Sequence, residues 1–135
     1  MNEQIGWSNE SKLLREIIKL LDRVNKTTNA PVQATGSVSL ATSRYIPTSA
    51  GVQMNREKIS IQLLSTNLSA NTTFSPEASA DGTNWDVLTE NETDITHTLV
   101  DDAPFFRTYE VDKGAYIRWN MAGATTGDVA YKINN

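Results

Sequence analysis

The chain offers few residues for chemistry. It has no cysteine and one histidine, His97, among 135 residues. That inventory excludes disulfides, thiolate nucleophiles and cysteine-ligated metals, and it leaves no multi-histidine metal site within one chain. A serine triad built on His97 would need a positioned nucleophile, and no G-x-S-x-G elbow is present. His97 instead alternates with Ile95 and Leu99, as a sheet residue facing inward or toward a subunit interface does. The acidic pair Asp101-Asp102 is adjacent in sequence, so its carboxylates point apart if extended, unlike the paired acids of a glycosidase. A calcium site on these two aspartates lacks EF-hand or RTX spacing. Acids between Asp81 and Asp112 read more simply as solvated loops. The expectation is a protein that is not an enzyme, with no catalytic residue, metal site or cofactor.

Binding chemistry is the remaining class. Aromatic side chains stack on sugar faces, and the aromatic candidates are Tyr45, Trp85, Tyr109, Tyr116 and Trp119. Trp85 and Trp119 alternate with apolar residues and are expected in the core. Tyr116 lies beside Arg118 and Asn120, so Tyr116 and Arg118 are the ligand-binding candidates. Arg118 reads equally as a paired, partly buried guanidinium or as a solvent-facing arginine. Phe105-Phe106 is either a loop platform or the start of a core strand.

These residues must be positioned by a small fold. The chain is 39% hydrophobic and 21% charged, enough apolar content to bury one core. Its net charge of −4 argues against nucleic acid as a partner. No apolar run is long enough to span a membrane, and the first 25 residues lack a secretory-signal pattern. Neither nucleic acid nor membrane is an expected partner.

Residues 8–26 carry Leu13, Leu14, Ile17, Ile18, Leu20, Leu21 and Val24, which at about 100° per residue fall in one arc of roughly 160°. The spacing predicts an amphipathic helix, capped by Ser8 or Asn9 and ended before Pro31. Arg15, Glu16, Lys19, Asp22 and Arg23 occupy the opposite face. The stripe either packs on the chain's own β-domain or a neighbouring protein, or forms a parallel bundle of three or more copies. Fewer than three heptads cannot hold such a bundle unaided. Trp7 precedes the cap, where it can staple the helix start or insert into a partner. The stem, residues 1–30, has five Lys/Arg against four Asp/Glu, net +1; residues 31–135 have seven against twelve, net −5.

From Gly36 the period changes to two. Val38 and Leu40, then Ile59, Ile61 and Leu63, alternate with polar residues, as do Ile95 to Leu99, Ala115 to Met121 and Val129 to Ile133. With Phe105 to Val111 and a segment around Phe74 this gives seven or eight strands. Turn signals recur at Asp81-Gly82, Asp112-Lys113-Gly114 and Gly123 to Gly127. The pattern predicts a mainly β protein: an N-terminal amphipathic α-helix (1–30) followed by an antiparallel, jelly-roll-like β-sandwich (31–135).

Ser79-Ala80-Asp81-Gly82-Thr83-Asn84-Trp85 reads S-x-D-G-x-x-W, a hairpin in which Asp-Gly supplies positive φ and Trp85 returns to the core. It resembles the hairpin of discoidin-like jelly rolls and of small β-modules on bacteriophage particles. The run Gly114 to Trp119, then Gly123 to Gly127 and Val129 to Ile133, resembles the last hairpin of those modules. A stem followed by an acidic sandwich is similar to phage head-fibre and capsid-decoration proteins. The resemblance implies a homotrimeric virion structural protein, assembled in the host cytoplasm and docked on the major capsid or another virion protein through its N-terminal segment. Trp7, Leu13, Leu14, Ile17, Ile18, Leu20, Leu21 and Val24 would form the oligomer or capsid anchor. No long fibre repeat is visible, so any fibre is a knob on a short stalk. The alternatives are a host-glycan adhesin, in which the sandwich binds a surface carbohydrate, and a tail or baseplate accessory protein.

Overall fold

The structure is a computed structural model that describes residues 11–21 and 32–135. Residues 11–21 are helical (α1) and belong to a first compact unit; the sheets form a second unit, from Pro31 to Asn135. Trp7, Val24 and the Ser8/Asn9 cap lie outside the described residues.

The second unit contains twelve strands: β1 (Gln33–Ser39), β2 (Tyr45–Ile46), β3 (Val52–Gln53), β4 (Lys58–Thr66), β5 (Thr72–Ser79), β6 (Asp86–Val87), β7 (Thr89–Glu90), β8 (Thr93–Asp94), β9 (His97–Leu99), β10 (Phe105–Glu110), β11 (Tyr116–Ala122) and β12 (Asp128–Asn134). Their pairing is that of one long antiparallel ribbon. β1 pairs with β12, β2 and β3 with β11, β4 with β10, and β5 with β9. The ribbon is then wound so that β12 also pairs with β4, and β11 with β5. One sheet has the order β1-β12-β4-β10, and the other has β2-β11-β5-β6, with β3 on β11 and β9 on β5. First with last and second with next-to-last, rolled into two sheets, is the jelly-roll arrangement.

Alternation sets which face is buried. Ile59, Ile61 and Leu63 of β4 and Val129 and Ile133 of β12 meet Phe74, Ile117, Trp119 and Met121 of the other sheet in one core, and the first six of these are at most 1% exposed. A one-residue slip would turn every one of them to solvent, so this core fixes the register. Leu40 is buried as expected, yet it lies in the turn after β1 rather than in the strand. Pro76 is buried inside β5, a position that ordinarily excludes proline because the ladder needs its N–H. It sits where the far side of β5 changes partner, from β9 (Thr72 to Phe74) to β6 (Glu77 and Ala78). Its carbonyl still accepts the Leu88 N–H at 2.9 Å.

Candidate functional site

The expected anchor residues within 11–21 share one property. Leu13, Leu14, Ile17, Ile18, Leu20 and Leu21 are 45–63% exposed. Long aliphatic side chains on one helical face each gain on the order of 1–2 kcal/mol when moved out of water, so the stripe is a reservoir of association energy. A Glu16–Lys19 pair at 3.7 Å lies on the charged face and, being largely exposed, adds little.

On the head, Tyr116, Arg118 and Asn120 share the outward face of β11, while Ile117, Trp119 and Met121 point into the core. Arg118 is the paired, partly buried guanidinium of the two readings. Its Nε donates to Glu77 Oε1 at 2.8 Å across the β11–β5 pair, and its Nη1 donates to the Ser49 carbonyl at 2.8 Å. Its carbon centre lies 4.1 Å from the Tyr45 ring centroid and 4.2 Å from that of Trp85. The two aromatic contacts are cation–π interactions on a guanidinium already held by a carboxylate. Asn120 extends the network, donating from Nδ2 to Glu77 Oε2 at 3.3 Å and accepting from Arg44 Nε at 2.8 Å. Two of the Arg118 donors, Nε and one Nη1 hydrogen, are thus engaged inside the protein, and the side chain is only 13% exposed.

Trp119 is fully buried, as expected, but Trp85 is half-buried outside the core, where it covers Arg118. The cause is local. Alternation breaks in the loop before β6, so Trp85 is aimed by the loop rather than by the strand period. Gly51, at φ +70°, makes room for it: a Cβ there would lie 2.8 Å from the Trp85 ring and 2.5 Å from the Ile117 carbonyl oxygen. Tyr116 is half-buried and covers Gly82 of the same hairpin.

Asp81 ties the S-x-D-G-x-x-W loop. Its Oδ1 accepts from the Thr83 and Asn84 backbone N–H groups at 2.8 and 2.9 Å and from Ser79 Oγ at 2.8 Å, and its Oδ2 accepts from the Asn84 side chain at 2.8 Å. These donors, led by the Asn84 and Thr83 amides, hold the carboxyl far below its ordinary value of 3.8. Gly82 takes φ +77°, as the Asp-Gly signal requires.

Beside this loop, a wide cleft of about 820 Å³ opens between the ends of β4 and β10 and the β5–β6 hairpin. Val87, Leu88, Val111 and Ala115 contribute its apolar lining; Glu57, Asp81, Asp86, Glu110 and Asp112 give it acid groups, with Lys58 the one cation among the described residues that line it. Among the described residues no three His, Asp or Glu side chains are placed to hold a metal together. Asp101, weighed for calcium, accepts the Leu68 N–H at 3.1 Å and so ties the loop after β4.

His97 is half-buried in an aromatic cluster, its ring centroid 5.3 Å from Phe74, 5.0 Å from Phe105 and 5.9 Å from Tyr109. Its Nε2 is buried without a hydrogen-bond partner among the described residues. Burial first, then the nearby Arg107 charge, lowers its pKa from 6.5, against a smaller opposing pull from Glu90. Tyr109 is 4% exposed, and burial pushes its phenol up to about 12. Phe105 packs against the core while Phe106, its neighbour in β10, is 67% exposed, which divides the Phe-Phe pair between the two sides of one strand.

The sequence singles out Arg118 and, as aromatic candidates, Tyr45 and Trp85, but not the polar partners Glu77 and Ser49, which come from separate segments. The spacing that could have found them is the polar set Tyr116, Arg118 and Asn120 on β11, whose charge requires a carboxylate opposite. No protein-family model matches the chain, and no curated protein matches it either.

Proposed function

We propose that the protein is a virion structural module: a short homotrimeric head fibre or capsid-decoration protein of a bacteriophage, anchored through its N-terminal segment. The observation that carries the reading is the exposed aliphatic stripe on α1, preceding a head with a single closed core. Such a stripe is costly in water and is kept where another protein surface covers it. In this reading Leu13, Leu14, Ile17, Ile18, Leu20 and Leu21, with Trp7 and Val24 flanking them, bind the other stems, the major capsid protein or another virion protein, and the jelly roll is displayed outward. The head's function is structural. Its strongest polar cluster, around Arg118, is committed to bracing one sheet, which weighs against the host-glycan alternative at Tyr116 and Arg118.

The test is antibody labelling of purified phage particles, combined with mass spectrometry of their proteins. The reading requires the chain in particles at a fixed copy number and gold label on the capsid. Label on the tail tip or baseplate moves the module to the tail, and particles without the chain overturn the reading.

A further inference from the structure

The two outward sheet faces of the head are built differently. The β2-β11-β5-β6 face is stitched by Arg118, Glu77, Asn120 and Arg44. The β1-β12-β4-β10 face has almost no such chemistry. Its outward residues are small or uncharged, among them Thr35, Ser37, Ala130 and Gln62, with Leu64 45% and Phe106 67% exposed. Its four charges, Lys58, Glu110, Lys132 and Asp128, sum to zero, and the first two pair at 3.7 Å. The strand at its border, β1 (QATGSVS), contains no charge and no proline, and among the described residues no strand pairs with its outer edge. A free edge is normally blunted by lysine, proline or a bulge, because its unpaired backbone groups recruit other chains.

We infer that this face and the β1 edge form the contact between copies of the chain. The inference rests on the homotrimeric reading and specifies which surface of the head makes the trimer. Three observations select a second copy as the occupant. The head carries a net −5, so identical heads repel except where a surface is neutral, and this face holds none of that excess. Four strands about 4.8 Å apart and seven residues at about 3.3 Å project a face of roughly 20 by 23 Å, about 460 Å², which is short of the ~800 Å² per partner of a self-sufficient interface and so suits a contact between copies whose stems add to it. β1 is also the first strand after the stem, hence the head element tethered most closely to neighbouring stems. In a three-fold ring a patch cannot meet itself, so the contact is heterologous: the face of one copy covers the β1 edge of the next.

The experiment measures the mass of the full chain by light scattering, as wild type, as Ser37→Glu with Phe106→Glu, and as the control Thr48→Glu with Thr125→Glu, both exposed loop positions. The inference requires a trimeric wild type and control, and a threefold drop in mass for the face variant with an unchanged circular-dichroism spectrum. A face variant that stays trimeric, or a monomeric wild type, overturns it. Particle labelling separates this failure from that of the virion reading. A monomer found on particles sinks the interface alone, and a trimer broken by the face charges but absent from particles sinks the virion role alone. A face variant that loses its β-spectrum is replaced by Ser37→Lys with Phe106→Ser, judged by the same masses.

Discussion

Arg118 and Glu77 face each other across the β11–β5 pair at 2.8 Å, with each side chain only 13% exposed. Tyr45 and Trp85 both lie against the guanidinium, so a single ion pair holds the loop before β3, the S-x-D-G-x-x-W hairpin and two central strands together.

Replacing Arg118 by Met should therefore destabilise the head by about 2 kcal/mol, because Glu77 keeps a largely desolvated charge with only Asn120 as partner. In urea this is a midpoint shift of roughly 1 M. The double variant Arg118→Met with Glu77→Leu should recover part of the loss, since no charge is then stranded. Additive losses in this cycle would show that the pair is not coupled.

His97 gives the stability a pH dependence of known sign. Its folded-state pKa is lowered, so below 6.5 the unfolded chain takes up a proton that the folded chain resists. The stability from neutral His97 is fully present above 6.5 and is lost as pH falls through that value toward the folded one. His97→Phe, which suits the Phe74, Phe105 and Tyr109 cluster, should flatten this segment of the curve. Urea midpoints at pH 5 and pH 7.5 test it: the gain of the variant over wild type must be larger at pH 5.

The β7–β8 hairpin turns through Asn91 and Glu92 at φ 52° and 63°. Two left-handed residues define a type I′ turn, whose second position favours glycine. Glu92→Gly should stabilise the hairpin by about 0.5–1 kcal/mol, read as slower amide exchange over Thr89 to Asp94. Unchanged or faster exchange would contradict the strain argument.

Much of this architecture was legible from residue order, and the reasons differ by element. Ile59-Ile61-Leu63 and Ile117-Trp119-Met121 alternate cleanly because one sheet face is buried and the other wet, so the major strands, the mainly β class and the stem helix follow from period alone. Two-residue strands such as β2, β3 and β6 have no period to detect. Trp85 departed from expectation because a loop, not a strand, aims it. Arg118's environment depends on Tyr45, Ser49, Glu77 and Trp85, brought together only when the ribbon rolls up. The stripe on α1 was the most legible feature of all, since helical spacing places its members without tertiary contacts.

That stripe is also where the central claim is tested most directly. Full chain and a variant with Leu14, Ile17 and Leu21 each changed to Gln are added to phage particles stripped of the protein, and co-sedimentation is measured. All three residues are exposed, so the head folds in either case. The account predicts saturable binding of the wild type and at least a hundredfold weaker binding of the variant, equivalent to about 3 kcal/mol of lost apolar burial. Equal binding of both chains would contradict an anchor built on the N-terminal helix.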